Sequence, residues 1–110
     1  MTYKVQIGYK VWESRSNYTF NEIISGTIEH DPYNDCAFFM CGDEYLISET
    51  IERIFQKAND TLHGLMDALV IRIGEAEFYG LGAFGALEEV AGGSNPYEIL
   101  WLYGGILICE

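Results

Sequence analysis

The strongest constraint on the fold is an alternation of apolar and polar side chains over the first dozen residues. A period of two residues is typical of a β-strand with one face in a core and the other towards solvent. The apolar positions are Tyr3, Val5, Ile7, Tyr9 and Val11. A second alternation runs from Tyr18 to Ile28 after the polar stretch 13–17. Together the two segments predict a long antiparallel hairpin.

The segment after this hairpin combines a short apolar run with a helical stripe. Residues 30–35 are rich in turn formers, and Cys36–Cys41 is apolar at both parities, which predicts a central strand covered on both faces. Apolar residues then recur at helical spacing and predict a helix over Ser48–Asp67. A helix that stops at Gly64, followed soon by a strand, is the alternative.

The last third of the chain is rich in glycine. Leu69–Ile73 reads as a strand, but the apolar parity changes at Gly74, which predicts a bulge or a tight bend there. Glycine is dense from residue 80, where Gly80–Gly85 predicts a flexible or closely packed loop, and Tyr97–Cys109 predicts a kinked buried strand or a tight hairpin. We therefore expect a single α+β domain, in which a mainly antiparallel sheet, the N-terminal hairpin plus three or more strands, packs against one principal amphipathic helix.

The charge of the chain restricts its partners. The formal net charge is −11. Eight acidic residues and no Lys or Arg lie between Arg15 and Arg53, and six more acidic residues follow Arg72. Such a field attracts cationic proteins and repels polyanions. Direct binding of nucleic acid is not expected, because it depends on phosphate neutralisation and the chain has only six Lys and Arg residues.

Cysteine usage and hydropathy point to the cytoplasm. The three cysteines form an odd set without the spacing of a disulfide framework, which suits a reducing compartment. The N-terminus lacks the pattern of a secretory signal, and no apolar stretch approaches the ~18 residues that span a bilayer. We expect a cytoplasmic protein without membrane contact.

No motif indicates catalysis, a metal or a cofactor. Gly80–Gly85 matches G-x-G-x-x-G, but too little chain follows for a dinucleotide-binding unit. The set His30, Cys36 and Cys41 lacks a C-x-x-C knuckle, so structural zinc is not expected. Neighbouring carboxylates arise by chance among 17 acidic residues, and none has a nucleophile beside it. We expect no catalytic residue, no metal and no cofactor.

The most informative segment is acidic and interleaved with aromatic residues, from Glu29 to Glu52. Aromatic anchors ringed by polar groups are typical of protein interfaces, and a negative field speeds encounter with a basic partner. The predicted partner-binding residues are Asp31, Tyr33, Asp35, Asp43, Glu44 and Glu49, with Glu75 and Glu77 as a second patch. The pattern predicts an inhibitor that blocks a basic protein such as a nuclease, with carboxylates in place of phosphates.

In size, charge and compartment the chain resembles small acidic proteins that neutralise nucleases or other nucleic-acid-directed effectors, such as bacterial toxin immunity proteins and phage-encoded anti-defence proteins. That resemblance includes no motif. One alternative is a small enzyme or ligand-binding domain with a pocket between helix and sheet and a lid over residues 80–93. Another is a homodimer that pairs through the apolar segment Ile99–Cys109.

Overall fold

A computed structural model of the chain describes residues 2–31, 36–41, 44–46 and 50–108, with side chains for 2–29 and 52–108. The fold is α+β, as predicted. Seven strands form one antiparallel sheet in the order β4-β3-β2-β1-β5-β6-β7. The strands are β1 (Thr2–Trp12), β2 (Tyr18–Asp31), β3 (Cys36–Cys41), β4 (Glu44–Leu46), β5 (Leu69–Ile73), β6 (Ala76–Tyr79) and β7 (Ile106–Leu107). The helices are α1 (Thr50–Thr61) and α2 (Gly82–Ala91), with a 3-10 turn at Met66–Ala68.

The predicted N-terminal hairpin is confirmed by β1 and β2. Their pairing runs from Thr2 opposite Glu29 to Trp12 opposite Tyr18, with a register shift between Ile7 and Gly8. Pairing of β1 with β5 ends at Tyr9, so the hairpin tip extends beyond β5. The predicted strand over Cys36–Cys41 is also confirmed by the backbone, but its side chains lie outside the described residues.

Both helices pack on the sheet face that carries Val5, Ile7 and Phe78, all fully buried. Helix α1 contributes Ile54 and Ala58 to this core. The alternative in which the helix stops at Gly64 is closer to the structure than the longer helix, because α1 ends at Thr61. His63 and Gly64 then adopt φ values of 51° and 81°. Position 64 needs a positive φ, which glycine adopts without strain.

The glycine-rich segment folds as a second helix from Gly82, so the predicted loop over Gly80–Gly85 is wrong. Helix α2 buries Ala83, Phe84, Ala86, Leu87 and Val90, the spacing of one apolar helical stripe. The glycines concealed this stripe in the sequence. Gly85 has a packing role, since a β-carbon at this position would lie 2.6 Å from the ring of Tyr103. The segment considered as a lid is therefore anchored to the core.

The parity change at Gly74 is the tight bend that the sequence predicted. It is a hairpin turn, in which Ile73 and Ala76 pair and Gly74 adopts a φ of 60°. The prediction for the C-terminal segment is wrong: residues 96–104 form turns, and within the described residues up to 108 only Ile106 and Leu107 pair as a strand. Breakers on both sides, Pro96 and Gly104, confine this apolar segment to turn geometry.

Candidate functional site

The first group of predicted partner-binding residues falls outside the described side chains. Tyr33, Asp35, Asp43 and Glu49 lie outside the described residues altogether. For Asp31 and Glu44 the backbone is described. Asp31 pairs with the first residue of β3 and Glu44 pairs with the last, so the two lie at opposite ends of that strand.

The second predicted patch, Glu75 and Glu77, is divided between two environments. Glu75 is exposed on the turn between β5 and β6. Glu77 is 1% exposed and lies on the sheet face opposite the helices, here called the polar face. The hairpin at Gly74 separates the two, because it places Glu75 in the turn and Glu77 in the ladder opposite Arg72. Glu77 therefore offers no exposed carboxylate to a partner, and the two residues do not form a common surface.

Glu77 is the centre of a charged cluster on the polar face. The Lys10 Nζ donates to Glu77 Oε1 at 2.5 Å, and the Arg72 Nε donates to Glu77 Oε2 at 2.8 Å. The hydroxyl of Tyr79 donates to Glu77 Oε1 as well. One buried carboxylate thus neutralises two cations that come from two other strands. This arrangement satisfies the requirement that a buried charge be paired and hydrogen-bonded.

Aromatic rings enclose the two cations of this cluster. Lys10 Nζ lies 4.4 Å from the centroid of the Tyr18 ring and 5.3 Å from that of Tyr79. The guanidinium carbon of Arg72 lies 4.2 Å from the centroid of Phe20. These distances fall within the range for cation–π attraction.

The electrostatics of the cluster do not suit acid–base catalysis. Burial raises the pKa of the Glu77 carboxyl, but hydrogen bonds from Lys10, Tyr79 and Arg72 together outweigh burial and leave the pKa below its ordinary value. Burial, followed by the hydrogen bond and the charge of Glu77, raises the pKa of Tyr79 far above its ordinary value. A buried carboxylate with a lowered pKa is a poor general base. The cluster is better suited to hold the strands of the polar face together.

Negative charge dominates the exposed surface in the described part of the chain. Ten carboxylates and four cations are exposed there. Within the same residues the only ion pairs are the two made by Glu77. The exposed carboxylates are Glu13, Glu22, Glu29, Glu52, Asp60, Asp67, Glu75, Glu88, Glu89 and Glu98. The surface field is therefore anionic, as the composition predicted, although the carboxylates are spread over several elements.

Carboxylates and large apolar side chains are exposed on α2 and on the turn segment that Tyr103 joins to it. The name Trp101 patch is used here for five of these residues: Glu88, Glu89, Glu98, Trp101 and Leu102. Trp101 is 79% exposed and Leu102 is 59% exposed. The next residue, Tyr103, packs on α2 and donates to Glu89 Oε1 at 3.4 Å, which joins the turn segment to the helix.

The field at the Trp101 patch is locally negative. Glu88 and Glu89 lie at the C-terminal end of α2, whose last turn holds no basic residue. The carbonyl end of a helix adds partial negative charge to theirs. Burial and the charges of Glu89 and Glu88 raise the pKa of Tyr103. The apolar run over Tyr97–Cys109 concealed this patch, because such a run predicted a kinked buried strand or a tight hairpin.

Comparison with known proteins adds no assignment: no family model, no curated protein and no solved structure matches the chain. No helix in the described residues is both long enough and apolar enough to cross a membrane. Within those residues, no group of three or more His, Cys, Asp and Glu side chains is placed to hold a metal ion. The side chains of His30, Cys36, Cys41 and Cys109 lie outside the described part.

Proposed function

We propose that this protein is a small acidic inhibitor that binds and blocks a basic protein partner, of the nuclease toxin or nucleic-acid-binding effector type, in the cytoplasm. It would act by occupying the cationic surface that such a partner offers to nucleic acid, with no chemistry of its own. We assign the binding of this partner to one surface, the Trp101 patch.

The observation that carries the proposal is the exposed Trp101, two residues before Tyr103, which joins the turn segment to Glu89 of α2. Interface hot spots are enriched in Trp, and a large aromatic ring supplies contact area that carboxylates lack. Glu89 accepts hydrogen bonds from the hydroxyls of Ser94 and Tyr103. The carboxylates of Glu88 and Glu89 make no ion pair within the described residues, so they can accept from a partner's Arg or Lys without breaking an ion pair. Charge-assisted pairs of this kind also set register and encounter rate.

Affinity capture followed by binding kinetics on the captured protein tests the proposal. Tagged protein is exposed to a lysate at low salt, and a bound basic protein is then purified and measured directly. We expect Trp101→Ala to weaken binding at least about tenfold, as for an anchor at the centre of an interface. Trp12→Ala is the matched control, because Trp12 is the other tryptophan of the chain and is exposed on the distant hairpin. A loss on Trp12→Ala with none on Trp101→Ala would move the interface to the hairpin and contradict the proposed surface.

The charges of the patch are expected to act mainly on the association rate. Glu88→Gln combined with Glu89→Gln should slow association severalfold at low salt, because long-range attraction to a cationic partner is reduced. The difference should disappear near 0.5 M salt, where exposed charges are screened over a few Å. Glu52→Gln combined with Asp60→Asn serves as the control, because both residues are exposed on α1. Equal effects from both pairs would indicate a diffuse field without a defined surface.

A further inference from the structure

A groove on the polar face is separate from the Trp101 patch. It has a volume of about 520 Å³ and is lined by Lys4, Gln6, Arg72, Glu75, Leu107 and Ile108. This volume lies within the range of small-molecule sites. The groove lies where β1, β5 and the turn after β5 meet the end of β7. It therefore lies on the side of the sheet away from the helices, not between helix and sheet.

Arg72 enters this groove with its orientation already fixed. Its Nε donates to Glu77, one terminal nitrogen donates to the Tyr18 hydroxyl at 3.3 Å, and Phe20 lies against the guanidinium. A guanidinium has five N–H donors, and only these two have acceptors among the residues whose side chains are described. The other N–H groups of Arg72 are held at the wall of the groove. When an anion accepts hydrogen bonds from them, the Arg72 side chain therefore loses little conformational entropy.

Lys4 supplies a second cation beside the first. It lies two residues along β1 from Gln6, the register partner of Arg72, so the Cα atoms of Lys4 and Arg72 are diagonal neighbours about 7–8 Å apart. Lys4 is exposed and makes no ion pair within the described residues. Glu75, on the rim, is the opposing charge. Gln6 donates to the exposed Glu22 at 3.5 Å. Because Arg72 is paired with Glu77, Lys4 is the lining cation without an ion pair among the described residues.

Two apolar residues, Leu107 and Ile108, also line the groove. Leu107 is half exposed, and Ile108 is fixed by a backbone hydrogen bond from its N–H to the carbonyl of Glu75 at 2.7 Å. We propose that this groove binds a small amphipathic anion, whose carboxylate or phosphate head group accepts from Arg72 and Lys4 and whose short apolar tail contacts Leu107 and Ile108. The site is independent of the proposed inhibitor function.

Titration of the whole protein with simple probes, followed by NMR chemical shifts, tests the site. Hexanoate carries both head group and tail, acetate and inorganic phosphate carry only a head group, and hexylammonium reverses the charge. We expect hexanoate to shift the amides of Gln6, Arg72 and Glu75, and to bind about tenfold more tightly than acetate, since several methylenes leave water. Phosphate should shift the same amides. Equal affinity for hexylammonium and hexanoate would overturn the proposal, because it would show that charge is not recognised.

Three substitutions with different expected effects on hexanoate affinity separate binding in the groove from a general effect of net charge. Lys4→Gln should weaken hexanoate binding about fivefold, and Glu75→Gln should tighten it about twofold to threefold. Lys57→Gln removes an exposed cation on α1, remote from the groove, and should leave affinity unchanged. Arg72 is not substituted, because it also holds Glu77. If Lys57→Gln weakened binding as much as Lys4→Gln does, the groove would have no specific role and the proposal would fail.

Discussion

Substitution of Glu77 by glutamine should lower the free energy of unfolding by about 3 kcal/mol. The amide keeps the shape of the side chain, but it leaves Lys10 and Arg72 close together without a counterion. Loss of one partner of a buried ion pair costs roughly 3–5 kcal/mol. The lower end applies here because the Lys10 and Arg72 side chains are 12% and 17% exposed, so both cations retain some access to water.

The same ion pairs should make stability depend on pH with a definite sign. The pKa of Glu77 in the folded chain lies below its ordinary value, so the unfolded chain binds this proton more readily. The contribution of Glu77 is therefore complete above the ordinary glutamate pKa of about 4.3, and it is lost as the pH falls through the lowered folded value. Glu77→Gln should lack this component, and its deficit against the parent should narrow at low pH.

Urea unfolding at pH 7 and pH 3 measures both effects. Glu75→Gln is the matched control, because Glu75 is two residues away and exposed, and its substitution should change stability by less than about 0.5 kcal/mol. A double-mutant cycle with Lys10→Met isolates the pair, and a coupling of more than about 1 kcal/mol is expected. If Glu77→Gln and Glu75→Gln were equally harmless, the cluster would not contribute to the stability of the sheet.

The local patterns of the sequence were sufficient to predict much of the sheet. Period-two alternation located β1, the breaker at Gly74 located the turn after β5, and both depend only on residues close in the chain. Helix α2 was missed because glycine has low helix propensity, whereas in the fold Gly85 makes room for the Tyr103 ring. Tertiary packing overrode propensity there, and tertiary packing is what a local pattern does not contain.

The charged cluster shows a second kind of limit. Lys10 and Glu77 are separated by 67 positions, and no local pattern connects them. Arg72 and Glu77 were within reach of the sequence, because a turn at Gly74 places opposite charges across from each other in the hairpin. The sequence left a bulge or a tight bend open at Gly74, and Glu77 was assigned with Glu75 to an exposed patch. The hairpin pairs Glu77 with Arg72 and makes it part of the fold.

Trp101 and Leu102 show the opposite case to Glu77: they are apolar residues that the sequence predicted to be buried, and they are exposed. A run of apolar residues predicts burial, yet the turn geometry of residues 96–104 holds Ile99 inside and leaves these two outside. Such exposure lacks a folding benefit, since burial of large side chains is the main stabilising contribution to a small domain. This is the physical reason to connect the Trp101 patch with binding and not with stability, and it supports Trp101→Ala as a substitution that leaves folding intact.

Gly8→Ala is expected to destabilise the hairpin by about 3 kcal/mol, the upper part of the range for overpacking. Gly8 lies at the register shift of β1, where β2 approaches closely. A β-carbon at this position would lie 2.1 Å from the backbone oxygen of Asn21 and 2.9 Å from its carbonyl carbon. The neighbour is backbone, and β1 is paired on both sides, so the clash is not relieved by a change of rotamer.

Gly82→Ala provides the matched control for Gly8→Ala. A β-carbon on Gly82 would have nothing within 4 Å, and Gly82 lies in α2, where alanine is preferred by up to about 1 kcal/mol. Thermal and urea unfolding should therefore show opposite signs for the two glycine-to-alanine changes. Because Lys10 lies two residues beyond Gly8, displacement of β1 should also move Lys10 away from Glu77, and Gly8→Ala should flatten the pH dependence of stability. Unchanged stability in Gly8→Ala would contradict the close approach of β1 and β2, and with it the register that brings Lys10 to the cluster.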